Sequence, residues 1–183
     1  MTCIVGVNHN GNIYIGGDSA GVAGLQLQIR SDEKVFLTGD FIMGFTTSFR
    51  MGQLLRYAFS PPEHSQKKDD MTYLVTDFVD SVRDCFRDNG YLTRESDVES
   101  GGSFLFGYRN NLYSMEDDFQ IAKSQANFAA CGCGAQVALG AMAASRTLGL
   151  TPEKRIELSL LAAEEFSAGV RGPFTILMLP KAE

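Results

Sequence analysis

The 183-residue chain has no tryptophan, two histidines, five prolines and four cysteines, and each shortage removes a class of function. Two histidines, His9 and His64, are too few to build a four-ligand zinc site with scattered thiols, and no HExxH helix is present. No GxxxxGK[ST] loop appears either, so neither a metal nor a cofactor is expected. There is no GxSxG elbow, His9 falls in a turn and His64 in a Pro-Glu-His stretch, and both histidines read as surface residues. A histidine-assisted serine or cysteine hydrolase is thereby disfavoured. Four cysteines in a chain of this length do not form a disulfide framework, and Cys131-Gly132-Cys133 has neither metal nor redox spacing. Cys3, Cys85 and Cys131 read as small buried hydrophobes.

Positive charge is also short. Sixteen Lys and Arg stand against 22 Asp and Glu, and a net charge of −6 offers no field for phosphates, so a nucleic-acid partner is not expected. The longest apolar runs, such as Thr175 to Leu179, are too short to cross a bilayer. Met1-Thr2-Cys3-Ile4 shows no basic segment followed by a leader-like stretch, which leads us to expect a reduced cytoplasmic protein. What is present is ample apolar material: a hydrophobic content of 44% supports a sizeable core, expected as one domain over residues 1–183.

The pattern reads as hairpins, two helices, hairpins, two helices and a closing strand. Strands are expected at Cys3 to Val7 and Ile13 to Gly16 around an Asn10-Gly11 turn, then at Val35 to Leu37 and Phe41 to Phe45. A helix capped by Ser48 runs to about Phe59. A second starts at Asp69 or Asp70, with Leu74, Phe78, Val82 and Phe86 on one face and Asn89-Gly90 as its stop. Strands follow at Ser103 to Tyr108, Asn111 to Met115 and Ala126 to Cys131, then helices at Gly134 to Leu148 and Pro152 to Ser167, with Thr151 as a cap. Phe174 to Leu179 closes the chain as a strand. Ile4-Val5 and Phe104-Leu105-Phe106 are apolar on both faces, which implies covered sheets. The fold class expected is α+β, a four-layer αββα sandwich of two antiparallel sheets between helix pairs.

With histidine excluded, a base must come from elsewhere, and a chain whose first residue is a hydroxyl nucleophile carries its own. An α-amino group titrates near about 7.7 to 8.0 and falls further beside a lysine ammonium. Thr2 would be that residue once Met1 is removed, and its small side chain suits an aminopeptidase. In the register set by Asn10-Gly11, His9 pairs with Asn12 and Asp18 falls opposite Cys3, one residue from Thr2 but on the other face. A bulge or the free chain end has to resolve that mismatch.

Thr2-Cys3-Ile4-Val5-Gly6-Val7, Asn10-Gly11 and Ile15-Gly16-Gly17-Asp18-Ser19 resemble the opening of proteasome β-type subunits, and especially the bacterial HslV-like peptidases. Asp18 and Lys34 follow Thr2 by 16 and 32 residues, the family's spacings for its catalytic aspartate and lysine. Gly44-Phe45-Thr46-Thr47-Ser48 is similar to the loop that lends a backbone amide to the oxyanion hole. Gly132-Cys133-Gly134-Ala135 resembles the Gly-Ser-Gly element, and Glu164 to Ser167 the region of an aspartate followed three residues later by a serine. The resemblance spans nearly the whole chain. It departs at Cys133, where serine is usual, at Thr47, where glycine is usual, and at Glu164, where aspartate is usual.

The resemblance implies that Thr2 is the nucleophile, Lys34 keeps the local potential positive, Asp18 keeps Lys34 charged, and the amide near Thr47 stabilises the oxyanion, with Cys133 and Ser167 completing the site. It further implies a threonine-type endopeptidase in a closed homo-oligomeric ring, acting on polypeptide delivered by an ATP-driven unfoldase. A catalytically impaired structural or assembly subunit and a small-molecule amidase are the alternatives on the same fold. For the contact between ring subunits, the outer surface of Met51 to Phe59 is expected to serve, because Leu54, Leu55 and Tyr57 exceed what one buried face requires.

Overall fold

Successive side chains of a strand point to opposite faces, and in this chain both faces of most strands are apolar, so each sheet must be covered twice. The computed structural model describes residues 1–182. It opens with β1 (Cys3–His9) and β2 (Asn12–Gly17), joined by Asn10 and Gly11 at φ 55° and 87°, the positive values that a two-residue hairpin turn needs. Pairing runs from His9 with Asn12 to Ile4 with Gly17, the register set by that turn. There follow β3 (Ala20–Ala23), β4 (Gln26–Ile29), β5 (Val35–Thr38) and β6 (Phe41–Phe45). Next come α1 (Phe49–Tyr57) and α2 (Asp70–Tyr73), a π-helical stretch at Leu74–Phe78, and α3 (Val79–Asp88). The second half holds β7 (Thr93–Glu95), β8 (Val98–Ser100), β9 (Phe104–Tyr108), β10 (Asn111–Met115), β11 (Ile121–Lys123), β12 (Phe128–Gly132), α4 (Ala135–Ala144), α5 (Pro152–Phe166) and β13 (Thr175–Leu179).

Two antiparallel sheets result, in the orders β12-β1-β2-β13 and β11-β10-β9-β6-β5, beside the separate hairpins β3-β4 and β7-β8. Alternation assigns each side chain to a layer. Cys3, Val5 and Val7 of β1 meet Ala138, Met142, Ile156 and Leu160 of α4 and α5. Ile4 instead joins Ile13, Ile15, Val35, Ile42, Leu105 and Leu112 between the sheets. Phe41, Met43 and Phe45 of β6, with Phe104, Phe106 and Tyr108 of β9, face α1 and the α2-α3 helix. Three apolar layers separate four structural ones, which makes the αββα sandwich. The sheets approach closely because their facing positions include glycines: a Cβ at Gly107 would lie 2.6 Å from Ile13 and from Ile42.

The caps fall where the side chains allow them, with Ser48 accepting from Arg50 N, Asp69 from Thr72 N and Thr151 from Lys154 N. Leu74, Phe78, Val82 and Phe86 are all fully buried. A four-residue step over-rotates by about 40° in an α-helix of 3.6 residues per turn, and the wider π turn takes back part of that drift. The stripe therefore stays on one face.

Two expectations are corrected. α1 packs against both β6 and α3, so Met51, Leu54 and Leu55 are buried on two sides and only Tyr57, 76% exposed, remains outside. Its apolar excess belongs to the core and supplies no outer contact surface. His64 is likewise no surface residue: its side chain is 6% exposed, stacked on Tyr73 at 4.2 Å, with Nδ1 bonded to Tyr108 Oη and Nε2 to the Lys68 carbonyl.

The layer between the sheets has no room to relax, whereas Leu25 at the β3-β4 tip is fully exposed. Ile13→Ala is expected to cost about 2–5 kcal/mol in urea unfolding, and Leu25→Ala less than about 0.5 kcal/mol. Equal effects would contradict this assignment of layers.

Candidate active site

The site forms where the chain before β1 and the turn after β2 meet the segment entering β5. Asp18 follows the last paired residue of β2, and its N–H still donates to the Cys3 carbonyl at 3.3 Å. Released from the ladder, its carboxylate folds back onto backbone donors. Oδ1 accepts from Cys3 N at 3.0 Å, and Oδ2 from Ala20 N at 2.9 Å and Arg171 N at 3.3 Å. Asp18 therefore makes no direct hydrogen bond to the Thr2 side chain. The mismatch read from the ladder is resolved by a third residue.

That residue is Lys34, delivered from the second sheet just before β5. Its ammonium donates to Thr2 Oγ1 at 2.9 Å, to Asp18 Oδ1 at 2.8 Å and to the Ala20 carbonyl at 2.7 Å, three acceptors for three hydrogens. Thr2, Asp18 and Lys34 are all buried, Lys34 to 1% exposure. Burial pulls the Lys34 pKa below its ordinary 10.5, against the opposing attraction of Asp18. Burial also pushes the Cys3 thiol up to about 12, with the Asp18 charge adding to the effect, and drives Cys131 well above its ordinary value. Neither thiol is a nucleophile at neutral pH.

Of the other candidate residues, Cys133 and Ser167 lie side by side. Cys133 Sγ lies 3.4 Å from Ser167 Oγ. Cys133 and Met1 meet over Gly169, where an added Cβ would fall 2.4 Å from Met1 Cβ and 2.7 Å from Cys133 Sγ. Thr47 adopts φ 56°, a conformation glycine takes freely and a β-branched residue at a cost of about 1–3 kcal/mol. Its Oγ1 accepts from Ser103 N at 3.1 Å, which helps hold the loop leading into α1. Gly132, at φ 95°, is where β12 passes closest to Thr2: a Cβ there would sit 2.2 Å from the Thr2 carbonyl oxygen. Glu164 reaches Gly172 N with Oε1 at 3.0 Å, and so braces the loop whose Arg171 N–H holds Asp18. Sequence reasoning missed the Ala20 carbonyl and the Arg171 amide, since backbone groups carry no residue signature, and it named Gly132 without its close approach to Thr2.

With this geometry, comparison with known proteins becomes informative. No family model and no curated protein matches the chain. Among solved structures, BPH of Thiobacillus denitrificans, determined in complex with epoxomicin, is 22% identical over 100% of both chains, with a TM-score of 0.80. HslV from Trypanosoma brucei is 14% identical over 97% of this chain and 98% of its own, TM-score 0.68. Anbu from Yersinia bercovieri is 13% identical over 98% of this chain and 82% of its own, TM-score 0.66.

The fold is that of the proteasome-like N-terminal-nucleophile hydrolases. Among the described residues, no group of three or more His, Cys, Asp or Glu side chains is placed to hold a metal ion, and no helix is long and apolar enough to cross a membrane.

Asp18→Asn would turn an amide NH₂ toward donors and leave Lys34 buried without a counter-charge. It is expected to cost about 3–5 kcal/mol in urea unfolding. Lys34→Met should cost less, because Asp18 keeps three backbone N–H donors. The reverse order would show that the lysine, and not the backbone, holds the carboxylate.

Proposed function

We propose that the protein is a threonine-type endopeptidase subunit that acts once Met1 is removed. The observation that carries this reading is the Lys34 ammonium, within hydrogen-bond distance of both Thr2 Oγ1 and Asp18 Oδ1. In the chain that retains Met1, Thr2 Oγ1 donates to the Met1 carbonyl and the Thr2 nitrogen is an amide, which cannot act as a base. Removal of Met1 turns that nitrogen into an amine beside the hydroxyl it must deprotonate.

The amine then takes the Oγ1 proton as the oxygen attacks the scissile carbonyl, and passes it to the departing amine nitrogen as the C–N bond breaks. An ester on Thr2 remains, and a water deprotonated by the same amine hydrolyses it. Lys34 keeps the Thr2 amine neutral by like-charge repulsion and stabilises the developing oxygen charge. Asp18 keeps Lys34 charged. The Thr47 amide, at the entry to α1, is the oxyanion donor in this reading, and Cys133 and Ser167 line the site beside it.

A closed homo-oligomeric ring, fed with polypeptide by an ATP-driven unfoldase, is the assembly we propose around this site, with residues 1–183 as one domain and the cytoplasm as its location. Native mass spectrometry tests the ring, and a mass near the 20.0 kDa of one chain would refute it. A catalytically impaired subunit is the second reading, favoured by the strained backbone of Thr47.

Intact-mass analysis before and after an epoxyketone separates the two. An adduct on the chain lacking Met1, absent in Thr2→Ala, supports the peptidase; a retained Met1 and no adduct support the impaired subunit. Thr2→Ala is expected to abolish hydrolysis of fluorogenic peptides and to leave circular dichroism unchanged.

The pH dependence follows from the two nitrogens. Activity should rise with pH as the Thr2 amine loses its proton, with a midpoint below about 7.7 because Lys34 is cationic. It should fall again as Lys34 is neutralised, at a pH below the ordinary lysine value of 10.5 because burial favours the neutral form. A kcat/KM profile with no acid limb would exclude the amine as base.

A further inference from the structure

A cleft of about 580 Å³ opens between the β3-β4 hairpin and the start of α1, lined among others by Gly21, Val22, Gln28, Arg30 and Phe49. It adjoins Lys34, which donates to Thr2 Oγ1. The Phe49 ring centre is 5.4 Å from Lys34 Nζ, and Ala20, whose carbonyl binds that ammonium, precedes Gly21. The cleft has a polar and an apolar character at once, and no carboxylate is among its lining residues.

Arg30 is held there on every side but one. Its guanidinium lies over the Phe49 ring at 3.8 Å. Nε and Nη2 fork onto Asp32 at 2.7 and 2.6 Å. Its stem packs against Gly21, where a Cβ would fall 2.8 Å from Arg30 Cδ. An arginine has five N–H donors, and Asp32 takes two. Among the described residues Nη1 donates to no protein group, and the side chain is 30% exposed. A planar fork fixed by stacking and by an ion pair has already lost its rotamer freedom, so a ligand that binds it does so without that cost.

We propose that Arg30 is a specificity-determining residue, which selects polypeptide substrates with a carboxylate side chain close to the scissile bond. The inference rests on the peptidase reading and names the substrate class of the same site. A Glu or Asp side chain entering the cleft accepts from the free edge of the guanidinium in a charge-assisted pair. The isosteric amide makes weaker bonds, an aliphatic chain makes none, and a lysine is repelled.

The test uses labelled peptides identical except for Glu, Gln, Leu or Lys at each position in turn around one cleavable bond. Binding to the chain lacking Met1 and bearing Thr2→Ala is read by fluorescence anisotropy, and hydrolysis by wild type is read as kcat/KM. At one position Glu should improve on Gln and Leu by about tenfold or more in both readouts. Arg30→Gln should erase that ratio, so that the Glu, Gln and Leu peptides are bound and hydrolysed alike. Should Arg30→Gln fail to fold by circular dichroism, Arg30→Lys keeps the charge without the fork, and it should retain only part of the preference. Equal binding of all four peptides, or a Glu preference that survives Arg30→Gln, overturns the proposal. Cleavage without a Glu preference overturns it and leaves the peptidase reading standing. Arg30-dependent binding of the Glu peptide with no cleavage of any peptide does the reverse.

Discussion

The ammonium of Lys34 is the interaction on which the site depends. It is a buried cation with three acceptors, contributed by the chain before β1, by the turn after β2 and by the first residue of β3. Its own backbone belongs to the other sheet. The site can exist only if the two sheets stand at one separation and one offset, which the interlocked layer of Ile4, Ile13, Ile15, Val35 and Ile42 enforces. A buried ion pair of this kind contributes little to net stability, since desolvation offsets the attraction. What it secures is geometry: any slip of one sheet on the other would leave a charge without its partner.

Around that cation most of the site is backbone. Asp18 is held by the amides of Cys3, Ala20 and Arg171. The Arg171 loop is tied by Glu164 to Gly172, and the Thr46-Thr47 loop is tied to Ser103 through side chain and main chain. Such a frame tolerates changes in side-chain identity where the backbone path is kept. Thr47 keeps a left-handed backbone there at the expense of strain.

Local pattern carried the sequence reading a long way for the elements with a buried face. Asn10-Gly11 set the β1-β2 register, Ser48, Asp69 and Thr151 marked helix starts, and the doubly apolar strands implied the four layers. Hairpins β3-β4 and β7-β8 were not anticipated, because Gln26 to Ile29 and Thr93 to Glu95 are exposed throughout and leave no burial alternation. Apolar residues on α1 misled for a related reason: a helix lodged against a sheet and a second helix buries two faces, and composition does not distinguish a second buried face from an outer contact surface. His64 misled because its partners, Tyr73 and Tyr108, come from elements distant in the chain.

The sequence by itself determined the residue types at the site, the spacing of Thr2, Asp18 and Lys34, and the register that brings Asp18 opposite Cys3. Those are local quantities, set by turn chemistry and by a period of two along the strand. It did not determine how Asp18 reaches Thr2. The ladder points the two side chains apart, and only the tertiary structure reveals that a lysine from the other sheet joins them. The same holds for the Arg171 amide, the Gly132 approach and the Arg30 clamp on Phe49. Each depends on segments that meet in space because layers pack, and packing distance is not written in the periodicity of any one strand.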